Sequence, residues 1–212
     1  MTLTFSPAKF EKNYLSTKLF TWRELGALIN NPHMTAVGKL RIPALPGPNS
    51  FRPPWMVRDW VKQQLCCFEN MSRATKKIND FAKKLEEEYP NAGPSDAHIY
   101  TTRKLDKFVH PFGAHFDKNE NVIVQCEGKT NFKVWEKVLC VENGEEGAKG
   151  TNNMDLKKLG DPILDCDMEP GDAIWIPKEY PHLATPLTEK RMGISFSLSK
   201  SNPHVEREWV KL

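Results

Sequence analysis

The sequence has few cysteines, and their spacing does not suggest a disulfide framework. There are five, an odd number, and no two of them have CxxC spacing. This usage is typical of reduced thiols in a cytoplasmic protein, which is the location that we expect. A closed structural zinc site, which is commonly rich in cysteine, is not expected either.

Long apolar runs and a strong charge of one sign are also lacking. No stretch approaches the roughly eighteen apolar residues of a membrane-spanning helix, and residues 1–20 lack the apolar centre of a secretory signal. The net charge is +3 with both signs interspersed. We therefore expect no membrane partner, and the charge alone does not indicate a nucleic-acid partner.

Aromatic residues are plentiful enough to build a core. The 212 residues are 39% hydrophobic and include eleven Phe and six Trp. That size and composition suit one compact domain, or a domain with a large appendage.

The periodicity of the chain is helical before about residue 90. Thr21 and Glu24 have the spacing of a capping box at the start of the first apolar-periodic segment. Apolar residues at spacings of three, four and seven predict three helices, at 20–30, 55–65 and 68–89.

After residue 95 the pattern changes to period two, with turn residues between short apolar segments. Candidate strands lie at 97–102, 114–117, 121–127, 131–138, 162–168, 173–177, 182–186 and 191–199. Eight short strands without intervening helices predict a closed β-barrel or jelly roll. The expected organisation is an N-terminal helical and extended region, 1–95, packed on a β-barrel catalytic domain, 96–212.

One pair of polar residues lies at the end of a candidate strand. His115 and Asp117 are two apart, so on a strand both side chains leave the same face. An imidazole and a carboxylate can then converge on one metal ion. A surface pair at a strand end is the alternative interpretation of the same two residues.

A second motif lies in residues 169–186. Its Gly171-x5-Pro177-x4-His182 spacing resembles the second motif of the cupin superfamily, in which the final His is a metal ligand inside the barrel. Two positions depart from that pattern: Glu179 replaces a usual Gly, and Pro186 replaces a usual Asn. Both positions shape turns, so the ligand assignment of His182 stands.

Together, His115, Asp117 and His182 form a two-His-one-carboxylate set. Such a facial triad leaves coordination positions open and is typical of non-haem Fe(II) oxygenases. Many cupins have a fourth ligand, a Glu, where this chain has Asn121. The sequence therefore favours a three-ligand site.

Arg191 follows His182 by nine residues, with Pro186 between them. This segment resembles the end of the barrel in prolyl-hydroxylase-type 2-oxoglutarate oxygenases, where an Arg pairs with the far carboxylate of the co-substrate. A guanidinium offers a planar fork that matches a carboxylate. The alternative is that Arg191 lies in water at a strand start and pairs with Glu189.

Residues 113–136 resemble the HxD segment of JmjC or cupin-like 2-oxoglutarate oxygenases, a group that includes asparaginyl hydroxylases and ribosomal oxygenases. The matching positions after the HxD pair are Gln125, Gly128, Phe132, Val134 and Trp135. The resemblance covers roughly residues 96–199. It implies a mainly β (α+β) double-stranded β-helix, the jelly-roll barrel of the cupins, with an N-terminal helical extension.

The co-substrate position departs from the family pattern. Where JmjC proteins with this spacing have a Lys or Arg thirteen residues after the Asp, this chain has Thr130. Either Arg191 binds the carboxylate, helped by hydroxyl hydrogen bonds from Thr130 and Tyr100, or the turn register slips and Lys129 reaches inward. We favour Arg191. A third possibility is that 2-oxoglutarate is not used.

The resemblance implies an Fe(II)- and 2-oxoglutarate-dependent oxygenase that uses O2, hydroxylates a C–H bond and releases succinate and CO2. Its substrate could be a protein side chain, a nucleic acid or a small molecule. The alternatives are a cupin isomerase or dioxygenase that does not use 2-oxoglutarate, and a non-catalytic cupin binding module. The N-terminal helices could cap the barrel or form a homodimer contact. His98 and His110 are expected to be ordinary residues rather than ligands.

Overall fold

The computed structural model describes residues 7–31, 39–41, 49–50, 53–103, 113–136, 154–200 and 202. Four helices lie in these segments: α1 (Trp22–Ile29), α2 (Pro54–Gln63), α3 (Lys76–Glu88) and the short α4 (Leu156–Leu159). None of these four is long and apolar enough to cross a membrane. The same segments contain eleven strands: β1 (Lys9–Glu11), β2 (Lys39–Arg41), β3 (Asn49–Ser50), β4 (Cys66–Glu69), β5 (Ser95–Arg103), β6 (Glu120–Glu127), β7 (Thr130–Val134), β8 (Leu164–Met168), β9 (Ala173–Ile176), β10 (His182–Pro186) and β11 (Lys190–Leu198).

The strands form two antiparallel sheets. The larger sheet has the order β1-β9-β6-β11-β5-β4-β2-β3, and the smaller has the order β10-β7-β8. Neighbours in the sheets are far apart in sequence, as in the pairing of β11 with both β5 and β6. This arrangement is the two-sheet jelly roll that the alternating pattern predicts.

Helices α1, α2 and α3 cover one face of the larger sheet. Alternate residues of β11 point to that face and join side chains of α1 and α3 in the main apolar core. The caps of these helices are made locally: the hydroxyl oxygens of Thr21 and Thr75 accept hydrogen bonds from the backbone N–H groups of Glu24 and Ile78. Buried members of this core include Leu25, Leu28, Ile78, Phe81, Leu85, Met192, Ile194, Phe196 and Leu198.

The other face of the larger sheet turns towards the smaller sheet. A second apolar cluster fills part of the space between them, with residues from β6 and β9 on one side and from β7 and β8 on the other. Its buried members are Ile123, Phe132, Val134, Met168, Ile174 and Ile176. The rest of this interior is lined by polar side chains, which is where a site can form.

One predicted helix begins too early. The expected helix over 68–89 is replaced at its start by strand β4, and α3 begins only at Lys76. Phe68 and Met71 are both buried, and their spacing of three is the same as that of neighbours on one face of a helix. Phe68 instead lies opposite Ile99 in an antiparallel pair, which is a tertiary contact that local spacing does not reveal.

Two strand predictions also need correction. Residues 114–117 form no strand but a single bridge, in which His115 pairs with His182. Strand β7 ends at Val134 instead of continuing to 138, and residues 137–138 lie outside the described segments.

The predicted boundary at residue 95 remains a prediction. Strands from both sides of it share one sheet, because β1 pairs with β9 and β4 pairs with β5. The region before residue 95 thus contributes strands as well as helices to the larger sheet.

Candidate metal centre

The three residues of the predicted triad lie together inside the barrel. One ligand atom from each of His115, Asp117 and His182 lies within 4.8 Å of the other two. The two histidines exchange backbone hydrogen bonds: the N–H of His115 donates to the carbonyl of His182 at 3.1 Å, and the reverse bond is 2.7 Å long. Because these bonds fix both backbones, the two rings lie only 4.4 Å apart, centroid to centroid.

Each imidazole is oriented through its Nδ1 atom. Nδ1 of His115 lies 3.1 Å from the carbonyl oxygen of Gly113, and Nδ1 of His182 lies 3.1 Å from that of Tyr180. A carbonyl oxygen can only accept, so Nδ1 carries a proton in both rings, and Nε2 is the atom that offers a lone pair in the neutral ring. Nε2 of His182 is 3.6 Å from Oδ2 of Asp117. Both histidines are therefore held in the tautomer that binds a cation through Nε2.

Burial keeps His182 neutral. Burial, and then the neighbouring His115, lower the pKa of His182 from 6.5 to about 4, although Asp117 acts in the opposite direction. A neutral imidazole is the form that binds a metal ion. At neutral pH this ligand does not have to lose a proton before it can coordinate.

Asn121 lies where many cupins have a fourth ligand, and here it hydrogen-bonds to the ligand Asp117. Its Nδ2 donates to Oδ2 of Asp117 at 2.8 Å, while its Oδ1 accepts from the hydroxyl of Ser195 at 3.1 Å. The hydroxyl therefore fixes the amide, and the amide fixes the carboxylate. Sequence reasoning identified Asn121 as a missing ligand but not as the group that orients Asp117; an amide four residues after the Asp was the available signal.

Glu179 stands where the cupin pattern has a glycine, and its backbone still adopts the glycine-like conformation. Its φ is +67°, in the left-handed region. Its N–H donates to the carbonyl of Asp117 at 2.7 Å, so this turn holds the backbone of a ligand. A non-glycine residue in this region carries a cost of about 1 kcal/mol.

Arg191 points into the barrel and is buried, with only 5% of its surface exposed. Its Nη1 lies 3.6 Å from the point where a Cβ on Gly193 would stand, so the absence of that side chain leaves room for the guanidinium. Oε1 of Gln125 lies 3.7 Å from the same point. This placement excludes the alternative in which Arg191 lies in water beside Glu189.

Burial lowers the pKa of Arg191 to about 10, although the nearby Tyr100 opposes that shift. The side chain is still a cation at neutral pH, and its Nε has no hydrogen-bond partner within the described segments. An unpaired cation in a barrel interior is costly. The position therefore suits an anionic ligand.

Other buried polar atoms of the same interior also lack partners in the described part of the chain. Thr102 lies directly opposite Arg191 on the neighbouring strand. Thr130 lies on the smaller sheet, on the same side of β7 as the inward-facing Phe132. The buried atoms without a partner are Oγ1 of Thr102, Oε1 of Gln125 and Oγ1 of Thr130. A guanidinium beside hydroxyl groups is a donor set that fits a carboxylate.

Tyr100 interacts electrostatically with both Arg191 and Asp117. It faces Gly193 across the strand pair. Burial raises the pKa of its phenol well above the usual value, with further contributions from Cys67 and Asp117. Tyr100 therefore keeps its proton and can donate a hydrogen bond within this interior.

Lys129, the fourth residue predicted to contact the co-substrate, points the other way. Its ammonium group lies 2.5 Å from Oε1 of Glu169, and half of its side chain is exposed. Lys133 likewise pairs outside with Asp165, at 3.2 Å. The strand register does not slip, so alternation sends Lys129 and Lys133 outward and Thr130 inward. His110 lies outside the described residues.

Comparisons with known proteins agree with this architecture. The family model described as the JmjC domain matches residues 76–206, well over half of the chain. The bifunctional lysine-specific demethylase and histidyl-hydroxylase NO66 of Drosophila persimilis is 32% identical over 79 residues, which cover 37% of this chain and 10% of that protein. Human ribosomal oxygenase 1 is 30% identical over 73 residues, covering 34% of this chain and 11% of that protein.

Solved structures of similar fold include YcfD from Escherichia coli. One YcfD structure has a TM-score of 0.65 at 17% identity and covers 93% of this chain and 50% of that chain. Another, described as a ribosomal oxygenase in complex with cobalt and 2-oxoglutarate, has a TM-score of 0.63 at 18% identity, with 92% and 48% covered. This likeness confirms the predicted mainly β, cupin-type fold.

The chain spans about a tenth of the length of the curated relatives it matches and about half of the solved structures. The family match nevertheless includes the triad, Thr130 and Arg191. By sequence and by fold, the chain belongs to the JmjC-domain family.

Proposed function

We propose that this chain is an Fe(II)- and 2-oxoglutarate-dependent oxygenase that hydroxylates a substrate C–H bond and releases succinate and CO2. The observation that carries the proposal is a two-His-one-carboxylate face in the same interior as a buried arginine whose Nε has no partner among the described residues. The names of the matched oxygenases, and the cobalt and 2-oxoglutarate in a solved relative, support it.

The triad would hold the metal through Nε2 of His115, Nε2 of His182 and the carboxylate of Asp117. Two neutral imidazoles and one carboxylate are the donor set of non-haem Fe(II) oxygenases, and the set contains no sulfur that would favour a structural zinc. The bound Fe(II), with 2-oxoglutarate and O2, supplies the oxidising chemistry. The chain's own contribution is to fix the ligands, through the carbonyls of Gly113 and Tyr180 and the amide of Asn121.

Arg191 would bind the far carboxylate of 2-oxoglutarate. The pairing neutralises a buried cation and satisfies its free Nε. Thr130, which replaces the Lys or Arg of the family pattern, and Tyr100 would donate hydroxyl hydrogen bonds to the same co-substrate. The apolar cluster between the sheets excludes water from this end of the interior.

The substrate could be a protein side chain, a nucleic acid or a small molecule. The relatives named histidyl-hydroxylase and ribosomal oxygenase make a side chain of a ribosomal protein the first candidate to test. Mass spectrometry of ribosomal proteins after incubation with the enzyme, Fe(II), 2-oxoglutarate and air would detect an added oxygen atom.

The test of the reaction class is an anaerobic incubation with Fe(II) and 2-oxoglutarate. We expect the weak visible charge-transfer band of the metal–2-oxoglutarate chelate, followed by succinate when air is admitted. His182→Ala should lose both signals. If the folded, metal-loaded protein gives no band and no succinate, the chain is instead a cupin enzyme that does not use 2-oxoglutarate, or a binding module.

A cytoplasmic location and a homodimer through the N-terminal helices are further parts of the proposal. Four cysteines in the described segments are free thiols, which supports a reducing compartment. The indole of Trp55 on α2 is 59% exposed and could contribute to a dimer contact. Sedimentation of the wild type and of Trp55→Glu would test the dimer, and microscopy of the tagged chain would test the location.

A further inference from the structure

A second group of metal-binding side chains lies on the larger sheet, outside the triad. Ligand atoms of Cys67, Glu69 and His98 all lie within 4.8 Å of one another. Cys67 and Glu69 are two apart on β4 and so share a face, and the antiparallel register of β4 with β5 brings His98 beside them. Three chemically different donors therefore converge on one point.

His98 is supported in the way that a metal ligand usually is. Its Nε2 lies 2.9 Å from Oδ2 of Asp96, so the second ring nitrogen, Nδ1, is the one that can bind a cation. A carboxylate on the far side of a ligating imidazole is a common feature of metal sites, because it fixes the ring and makes the ligand more basic.

Without a metal, the proton of this imidazole is strongly held. Burial alone would lower the pKa of His98, but hydrogen bonds with Asp96 and with the Cys67 thiol raise it to about 10. A metal ion binds the thiolate and the neutral imidazole, so occupation of this site would be accompanied by proton release.

The cluster is partly accessible through His98, and Tyr100 links it to the triad. Cys67 is 1% exposed, whereas the side chain of His98 is 25% exposed. Tyr100 hydrogen-bonds with Cys67 and interacts electrostatically with Asp117. One tyrosine side chain therefore interacts with a member of each ligand group.

We propose that Cys67, Glu69 and His98 form a second metal site, which binds a borderline-soft divalent cation of the Zn²⁺ class. One thiolate, one imidazole and one carboxylate suit Zn²⁺, whereas Mg²⁺ and Ca²⁺ prefer oxygen ligands alone. Three protein ligands leave a fourth position for water or a substrate group. This site is independent of the proposed oxygenase activity, because it shares no ligand with the triad.

The experiment is a titration of the metal-free protein with Co²⁺, read by absorbance. The triad has no sulfur, so a near-ultraviolet thiolate-to-cobalt charge-transfer band reports only on the second site. We expect a second equivalent of Co²⁺ to bind with that band. Cys67→Ser should abolish the band. Asp96→Asn should raise the Co²⁺ concentration at which the band reaches half of its full intensity by about 10–100-fold.

Matched variants separate this site from others. Cys166→Ser removes a half-buried thiol on β8 and should leave the band unchanged. His115→Ala should lose the triad-bound metal and keep the band. Loss of metal binding at the triad can therefore be distinguished from loss of metal binding at the second site. If Cys67→Ser does not fold, as judged by circular dichroism, His98→Gln serves in its place and should also lose the band.

Three results would overturn the proposal. One is a titration that ends after a single equivalent without the band. Another is a band that survives both Cys67→Ser and His98→Gln. The third is rapid alkylation of Cys67 that Co²⁺ or Zn²⁺ does not slow, which would assign the cluster to a reactive thiol–imidazole pair instead.

Discussion

Replacing Arg191 by alanine should weaken 2-oxoglutarate binding while leaving the free protein folded. The guanidinium is buried and its Nε has no partner in the described part of the chain, so in the absence of the co-substrate its charge costs free energy. Removing it therefore should not lower the stability of the free protein. Removing it from the complex, by contrast, leaves a buried carboxylate unpaired.

The magnitude follows from that loss. Removing one partner of a buried charge pair costs about 3–5 kcal/mol. At 1.4 kcal/mol per factor of ten, the dissociation constant of 2-oxoglutarate should rise by about 100–4,000-fold. Lys129→Ala is the matched control, because it removes an exposed cation that pairs with Glu169; we expect less than about a twofold change.

The assay is calorimetric titration of 2-oxoglutarate into the anaerobic, metal-loaded protein, together with thermal unfolding. A saturating ligand raises the free energy of unfolding in proportion to the logarithm of its concentration over its dissociation constant. Wild type and Lys129→Ala should show this increase, and Arg191→Ala should not. If Lys129→Ala loses more affinity than Arg191→Ala, the assignment of the carboxylate to Arg191 is refuted.

Three further predictions concern the residues that hold the triad. Asn121→Ala should weaken metal binding by about 10–100-fold, because the amide that orients Asp117 is lost. Competition with a chelating dye measures the metal affinity, and an unchanged affinity would contradict this role of Asn121. Glu179→Gly should raise the free energy of unfolding by up to about 1 kcal/mol in urea titrations, because φ at this position is +67°; a loss of stability would show that the side chain matters more than the backbone. The free energy of unfolding of the metal-free protein should fall by on the order of 3 kcal/mol as the pH falls from 6.5 towards 4. The reason is that His182 is protonated with its ordinary pKa of 6.5 in the unfolded chain but with a pKa of about 4 in the folded chain. Denaturant titrations across this range test the pH dependence, and it should be smaller in His182→Gln.

The part of the fold that sequence reasoning captured is the part set by period-two alternation. On β11, Met192, Ile194 and Phe196 pack towards the helices, while Arg191 and Gly193 face the other sheet. Alternation is a local property of a strand, so it predicts which way Arg191 and Thr130 point once the strand is recognised. The same alternation turns Lys129 outward, where it pairs with Glu169.

What the sequence did not reveal depends on contacts between distant segments. Asn121 is only four residues from Asp117 in the sequence. Ser195, which hydrogen-bonds to the Asn121 amide, is 74 residues away from it. The strand predicted at 114–117 is only a bridge, because the partner of His115 is the single residue His182. Ligand geometry in this barrel is thus set by strand pairing, which spacing alone does not encode.

The second ligand cluster was hidden by the same limitation. A helix over 68–89, which the apolar spacing predicts, leaves Glu69 without a defined relation to His98, and the sequence then predicts that His98 is an ordinary residue. Strand β4 changes that relation, because pairing Phe68 with Ile99 places Glu69 next to His98 on the interior face. The core-facing residues Cys66 and Phe68 determine how β4 pairs with β5. Strand alternation then places Cys67 and Glu69 on the opposite, interior face. A thiol, a carboxylate and an imidazole carried together in this way form a candidate site that only the pairing reveals.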